Sequence, residues 1–315
     1  MYPILAPNVF LHIETDENGC NTYYVCPPDT NVCDELTVGE YDVLNNADGT
    51  HPIKDSEFLQ RMEQKGVITR KRFVRQKGIL NYFIIAPLVV RANNGKITGV
   101  CRFLNRYLTP GSFLIFIFSK VMYEAVGESW FMEFSTGVYV ALVLLALATH
   151  ELGHIIAILS FGQQSKHFGI PLLWILPVGA YVFGKGDETV TPAERIKINL
   201  AGVELQAVYT GILYLLACVL PVRTEIHVAA LVSTTIMILN LLPCASIFDG
   251  EKAMSCFVGV DSISAIARAA VIHEEVRVFI ASLGDQGKRI MMSCMSVYIS
   301  WLIIVLGIIQ LISVF

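Results

Sequence analysis

Charge is scarce in this chain. Only 16% of its 315 residues are Asp, Glu, Lys or Arg, whereas 54% are hydrophobic, and the mean hydropathy is positive. Globular domains carry about 25% charged residues, so the composition excludes a chain that is soluble throughout. A strong net charge is also missing: the formal value is −4 at pH 7, which excludes the basic footprint of a nucleic-acid binder. The opening "MYPILAPNVFLHIETDENGC" has no basic stretch leading into a sustained apolar core, so a cleaved signal peptide is not expected. Cys20, Cys26 and Cys33 lack paired CxxC spacing, which argues against a structural zinc knuckle and for ordinary reduced thiols in a cytosolic domain.

What is present is unevenly spread. Acidic residues are dense between Glu14 and Glu63, and long apolar runs begin only near Phe113. This shift predicts a polar N-terminal domain (residues 1–80), a basic juxtamembrane linker (81–111), a membrane core (112–250), a cytoplasmic helical segment (251–290) and a last span (291–315). In the first part Thr37 and Glu40 have capping-box spacing, with Leu36, Tyr41 and Leu44 at helical intervals. Phe58, Leu59 and Met62 line a second helix that ends at Gly66, and "VITRKRF" has strand composition. The pattern over residues 10–73 reads as a small α+β winged helix and resembles the PqqD-like domains that grip leader peptides of ribosomally made, modified peptides. A plain packing module fits the same pattern.

The rest reads as a mostly α, polytopic helical bundle of about five spans, at 112–126, 136–161, 197–220, 226–242 and 291–314. Arg70, Lys71, Arg72, Arg75 and Lys77 precede the first span. With the N-terminus inside, segments 163–196 and 249–290 also fall inside and carry most remaining Lys and Arg, as the positive-inside rule expects. That arrangement predicts a multi-pass protein of the cell membrane with a cytoplasmic N-terminus and a site toward the cytoplasmic side. Between the second and third spans, "HFGIPLLWILPVGAYVFGKG" is apolar but rich in Gly and Pro. It predicts a re-entrant hairpin packed on protein, because unpaired backbone does not face lipid.

One span contains "LALATHELGHIIAILSFG". His150 and His154 lie four residues apart, one turn along the same helix face, where both imidazoles reach one tetrahedral zinc. Glu151 lies beside them, placed to take a proton from a metal-activated water and pass it to a leaving amine. Gly153 lets another backbone or a substrate approach closely. Burying these ionisable groups in hydrocarbon costs roughly several kcal/mol on insertion scales, and metal ligation satisfies them. A catalytic zinc needs a third protein ligand. The candidate is Asp249 in "LNLLPCASIFDG", where Pro243 breaks the span and frees backbone to turn Asp249 toward the site.

These residues resemble the site-2 protease family of intramembrane zinc metalloproteases, which pairs HExxH with an N-x-x-P-x-x-x-x-x-D-G pattern in a later span. The resemblance covers residues 112–250. It implies that His150, His154 and Asp249 bind Zn2+, that Glu151 is the catalytic base, and that Asn240 helps hold the substrate backbone. Pro243, Gly153 and Glu204 join Asn240 as candidate substrate-binding residues. Glu204 either lines the cavity or makes a structural hydrogen bond to Asn199 or a hydroxyl. The family's Gly-Pro pair in its third core span is replaced here by Gly202-Val203.

The expected function is hydrolysis of a peptide bond in or near the membrane, with the hairpin edge holding the substrate as an added strand. With a leader-binding domain, the substrate would be a small precursor peptide of bacteriocin or signal type. The alternatives are cleavage of a membrane-anchored regulator, or a non-proteolytic zinc-binding protein of peptide export or immunity. Expected partners are the peptide or membrane-protein substrate, the lipid bilayer and a peptide-maturation or export protein, and no nucleic acid.

Overall fold

A computed structural model describes the chain apart from residues 1–3, 7–8, 16–19, 27–32, 48–56, 71–72, 76–79, 91–94, 127–134, 164, 174–175, 178–180, 185–189, 221–222, 246 and 315. Two compact units result, Met1–Phe103 with Ile158–Val190 and Leu104–Ala157 with Thr191–Phe315.

The first unit opens with strands β1 (Ile4–Leu5), β2 (Phe10–Thr15), β3 (Asn21–Cys26) and β4 (Asp34–Leu36), then helices α1 (Val38–Asn45) and α2 (Glu57–Gln64) and strand β5 (Ile68–Thr69). β2, β3 and β4 form an antiparallel sheet, and β1 pairs with β5. Leu44, Leu59, Met62 and Ile68 are buried side by side with Val25 and Leu36 in one core, so the helical spacing read from the sequence is the spacing that fills it. Gly66 takes φ 74° and closes α2 in the left-handed region that only glycine enters without strain. The described residues therefore hold a three-stranded sheet, two helices and a β1–β5 ribbon. Cys33 is disulfide-bonded, which corrects the expectation that the N-terminal cysteines are all reduced.

The capping box on α1 is complete. Thr37 Oγ1 accepts from Glu40 N at 3.3 Å, and Glu40 Oε2 accepts from Thr37 N at 2.9 Å. The Thr37 backbone N–H, followed by its hydroxyl and Arg61, holds the Glu40 carboxyl below its ordinary value. The resulting stabilisation is full above the unfolded carboxylate pKa and fades as pH falls through the lower folded one. Thr37→Ala is expected to weaken α1 by about 1 kcal/mol. Faster hydrogen exchange over residues 38–45 at neutral pH checks this.

A second sheet in the first unit corrects the reading of residues 81–111 as a linker. Strands β6 (Phe73–Arg75), β7 (Leu80–Val90), β8 (Ser165–Leu173), β9 (Leu176–Pro177) and β10 (Tyr181–Gly184) run in the order β10-β8-β7-β6, with β9 paired to β8. The segment "LNYFIIAPLVV" is β-branched and aromatic, as strands are. Its proline would interrupt a central strand, but Pro87 sits where the register with β8 shifts and beyond the residues that β6 pairs. The apolar segment expected as a hairpin is β8 to β10, antiparallel as a hairpin requires. Of the basic cluster, Lys71, Arg72 and Lys77 lie outside the described residues.

The second unit is helical. Its elements are α3 (Gly95–Val126, whose first residues belong to the first unit), α4 (Thr136–Ser160), α5 (Pro192–Val219), α6 (Arg223–Leu241), α7 (Asp249–Val258), α8 (Ile263–Ile272), α9 (Glu274–Ser282) and α10 (Gly284–Val314). α5 starts at a second capping box, Thr191 with Glu194, and has Pro192 in its first turn, where the missing N–H leaves nothing unpaired. Among the described residues, four helices are long and apolar enough to cross a membrane: α4, α5, α6 and α10. The expected first span is instead the second half of α3, a 32-residue helix that carries Lys120 and Glu124 as a hydrogen-bonded pair within that half. By length and composition the fifth crossing would be α7 with α8, bent by 78° at their junction.

Candidate metal centre

α4 presents His150 and His154 one turn apart, and α7 brings Asp249 to them. His150 Nε2 lies 3.2 Å from His154 Nε2, and Asp249 Oδ2 lies 2.8 Å from the first and 3.3 Å from the second. Local structure explains the delivery. α6 ends at Leu241, Pro243 and Cys244 make a turn, and Asp249 is the first residue of α7. Proline ends the ladder of α6, as expected. A carboxylate in the first turn of a new helix is also favoured by the unpaired amides there.

The three atoms have the chemistry of a cation site. His150 Nδ1 is 2.9 Å from Gln206 Oε1, and His154 Nδ1 is 2.8 Å from the carbonyl of Ile198. A carbonyl only accepts, so the Ile198 contact makes Nδ1 the protonated nitrogen of His154 and leaves a lone pair on Nε2. Two ring nitrogens and a carboxylate oxygen converge within 4.8 Å of one another, a donor set that a single cation can share. A tetrahedral zinc with bonds of about 2.0–2.1 Å separates its ligands by roughly 3.3 Å, so the observed spacing fits. A Nδ1–H held by a carbonyl is also the usual outer support of a metal-binding histidine.

Three glycines make the approach possible. A Cβ on Gly153 would strike the Ala201 carbonyl and would lie 2.9 Å from Gly202 Cα, so α4 and α5 touch through backbone there. The close partner of Gly153 is thus another backbone, one of the two options the sequence left open. On the facing helix, a Cβ on Gly202 would lie 2.5 Å from His154 Nε2 and 2.8 Å from His150 Nε2. Gly250 sits against the Leu241 carbonyl, so that a Cβ there would push α7, and Asp249 with it, off the end of α6.

The remaining candidates fall in different places. Glu151 is 6% exposed, and its Oε2 has no hydrogen-bond partner among the described residues. Asn240 is half-buried in the last turn of α6, and Pro243 is buried in the turn after it. Glu204 is buried and accepts from Lys197 Nζ at 2.8 Å, two turns up the same helix face. That ion pair was not foreseen from sequence; Asn199 Nδ2 instead lies 3.8 Å from Cys256 Sγ.

Sequence reasoning noted Gly202 only as half of an altered Gly-Pro pair, and it missed Gln206. With Ile198 they form an i, i+4, i+8 stripe on α5 that faces the two histidines. A signal was present, since a glutamine four residues after a glycine in an apolar span is unusual, but which face of α5 meets α4 is a tertiary fact.

No curated protein and no solved structure matches the chain. Residues 138–224 match Peptidase family M50, the site-2 protease family, a stretch that contains His150, Glu151 and His154 but not Asp249. Together with the four apolar helices and the His150–His154–Asp249 cluster, the match supports a multi-pass membrane metalloprotease.

Proposed function

We propose that this chain is an intramembrane zinc endopeptidase that processes a small ribosomally made precursor peptide, with its N-terminus in the cytoplasm. The observation that carries the reading is the triangle of His150, His154 and Asp249 beside a buried Glu151 that has an unpartnered oxygen. Zinc, when bound, supplies Lewis acidity toward the scissile carbonyl and toward water. The chain supplies the rest. Gln206 and the Ile198 carbonyl orient the imidazoles, Glu151 takes the proton of the attacking water and delivers it to the leaving nitrogen, and Asn240 stands near the ligand-bearing turn to hold the substrate backbone.

A helical substrate hides its amides, so the scissile segment must be extended before attack. β10 is an edge strand of the second sheet, and an edge strand offers the backbone pairing that extends a peptide. The N-terminal sheet and helices are assigned to leader recognition on the strength of their resemblance to PqqD-like domains.

The test is co-expression with a short precursor encoded beside this chain, alongside metal analysis of the purified protein. Wild type should carry about one zinc per chain and trim the precursor. Asp249→Asn should lower zinc affinity by more than about 100-fold, beyond the usual loss for an outer-shell partner, and leave the precursor intact. Processing undiminished in Asp249→Asn would overturn the assignment. Cleavage of a membrane-anchored regulator but of no precursor would overturn the substrate class and leave the enzyme class standing.

A further inference from the structure

A chain of buried polar groups runs from His150 into the bundle, and its protons can be assigned one by one. Thr210 Oγ1 lies 2.8 Å from the Gln206 carbonyl, which only accepts, so the hydroxyl donates there. Its single proton is then used, and the 2.7 Å contact between Thr210 Oγ1 and Ser233 Oγ must have Ser233 as donor. Gln206 Nε2 lies 3.1 Å from the Ser233 carbonyl and 3.2 Å from Ser233 Oγ. The carbonyl cannot donate and the hydroxyl proton is committed, so the NH2 end of the amide belongs on that side. Its oxygen is left facing His150 Nδ1 at 2.9 Å, and His150 must therefore carry its proton on Nδ1. Gln206, Thr210 and Ser233 are all buried, Gln206 and Thr210 completely, which shields these bonds from bulk solvent.

We infer that Gln206 is a positioning residue that fixes His150 in the tautomer whose Nε2 lone pair points at the metal, with Ser233 and Thr210 setting the direction of its amide. The inference rests on the metal-centre reading above. It assigns to α5 and α6 a part in metal binding although neither helix supplies a ligand up to the turn at Pro243. A reversed amide would present NH2 to His150, favour the proton on Nε2 and displace the cation.

The experiment measures zinc affinity of the full-length protein in detergent by competition with a chromophoric chelator, and thermal stability of the metal-free protein in parallel. Gln206→Met keeps the volume and removes the acceptor, whereas Gln206→Glu keeps an acceptor for Nδ1–H but buries a charge. The expected zinc affinity is close to wild type for Gln206→Glu and about 10–100-fold weaker for Gln206→Met, the range seen for outer-shell partners. The expected stability order is the opposite, because methionine is tolerated in a core and an added buried carboxylate is not. Zinc affinity that merely follows stability, or is unchanged in Gln206→Met, overturns the positioning role. Gln206→Leu serves the same comparison should Gln206→Met not accumulate. Wild-type protein that binds no zinc overturns the metal centre itself, and the inference with it.

Discussion

Gly202→Ala should give a protein that folds, retains every metal ligand and yet holds no metal. The added methyl would lie 2.5 Å from His154 Nε2 and 2.8 Å from His150 Nε2, distances at which one side must move. The imidazoles are poorly able to do so. Each is tethered at Nδ1, His150 by Gln206 and His154 by the Ile198 carbonyl. α5 cannot retreat without parting from α4 at Gly153, where the two backbones are in contact. Alanine in a helix interior is favoured over glycine by about 1 kcal/mol, so the helix itself gains while the site is lost. Zinc affinity should drop by about 100-fold or more, at or beyond the upper range for outer-shell substitutions, with far-UV circular dichroism unchanged. Retention of one zinc per chain would show that the two helices do not meet as described.

Glu151→Gln should do the reverse and spare the metal while removing the chemistry. The amide has the shape of the carboxylate but cannot accept and return a proton, a role worth roughly 10²–10⁴-fold in rate. Glu151 is not one of the three converging residues, and its Oε2 has no hydrogen-bond partner among the described residues. Neutralising it removes a buried charge rather than a support, so stability should hold or rise. The paired readouts are precursor processing and zinc content. A processing rate equal to wild type in Glu151→Gln would exclude Glu151 as proton carrier. Loss of zinc in this variant would instead show that the carboxylate is a ligand.

Much of the membrane unit could be read in advance because its determinants are local. The i, i+4 spacing of His150 and His154 and the break at Pro243 each act within a turn or two of chain, as does the capping box at Thr37 in the first unit. Asp249 was found across nearly a hundred residues because a proline and a glycine flank it in a recognisable order. What stayed hidden depends on which surfaces meet. Gly202 and Gln206 gain their meaning only from the face of α4 opposite them. β7 reads as linker because most of its length pairs with β8, which begins 75 residues beyond its last residue, Val90 to Ser165, and only residues 81–83 pair with the nearby β6. The first expected span lost its separateness because α3 continues unbroken through the basic residues before it.

The junction of α7 and α8 has a consequence for the order in which the site comes into being. Glu251, buried two residues after the third ligand, accepts from Ser262 Oγ at 2.8 Å and from the backbone and hydroxyl of Ser264 at 3.2 and 3.1 Å, and Ser255 Oγ accepts from Ile263 N at 2.9 Å. The helix that carries Asp249 is thus fastened at one end by Gly250 on α6 and along its length by serines synthesised later. A nascent chain that has reached the end of α6 holds His150, Glu151 and His154 but not Asp249. One stopped after α7 has His150, His154 and Asp249 but only the Gly250 contact with α6 to hold the helix that carries Asp249. Full support of the Asp249 helix therefore waits on residues 262 to 264, and the chain passes through most of its own synthesis before the His150–His154–Asp249 cluster is secured.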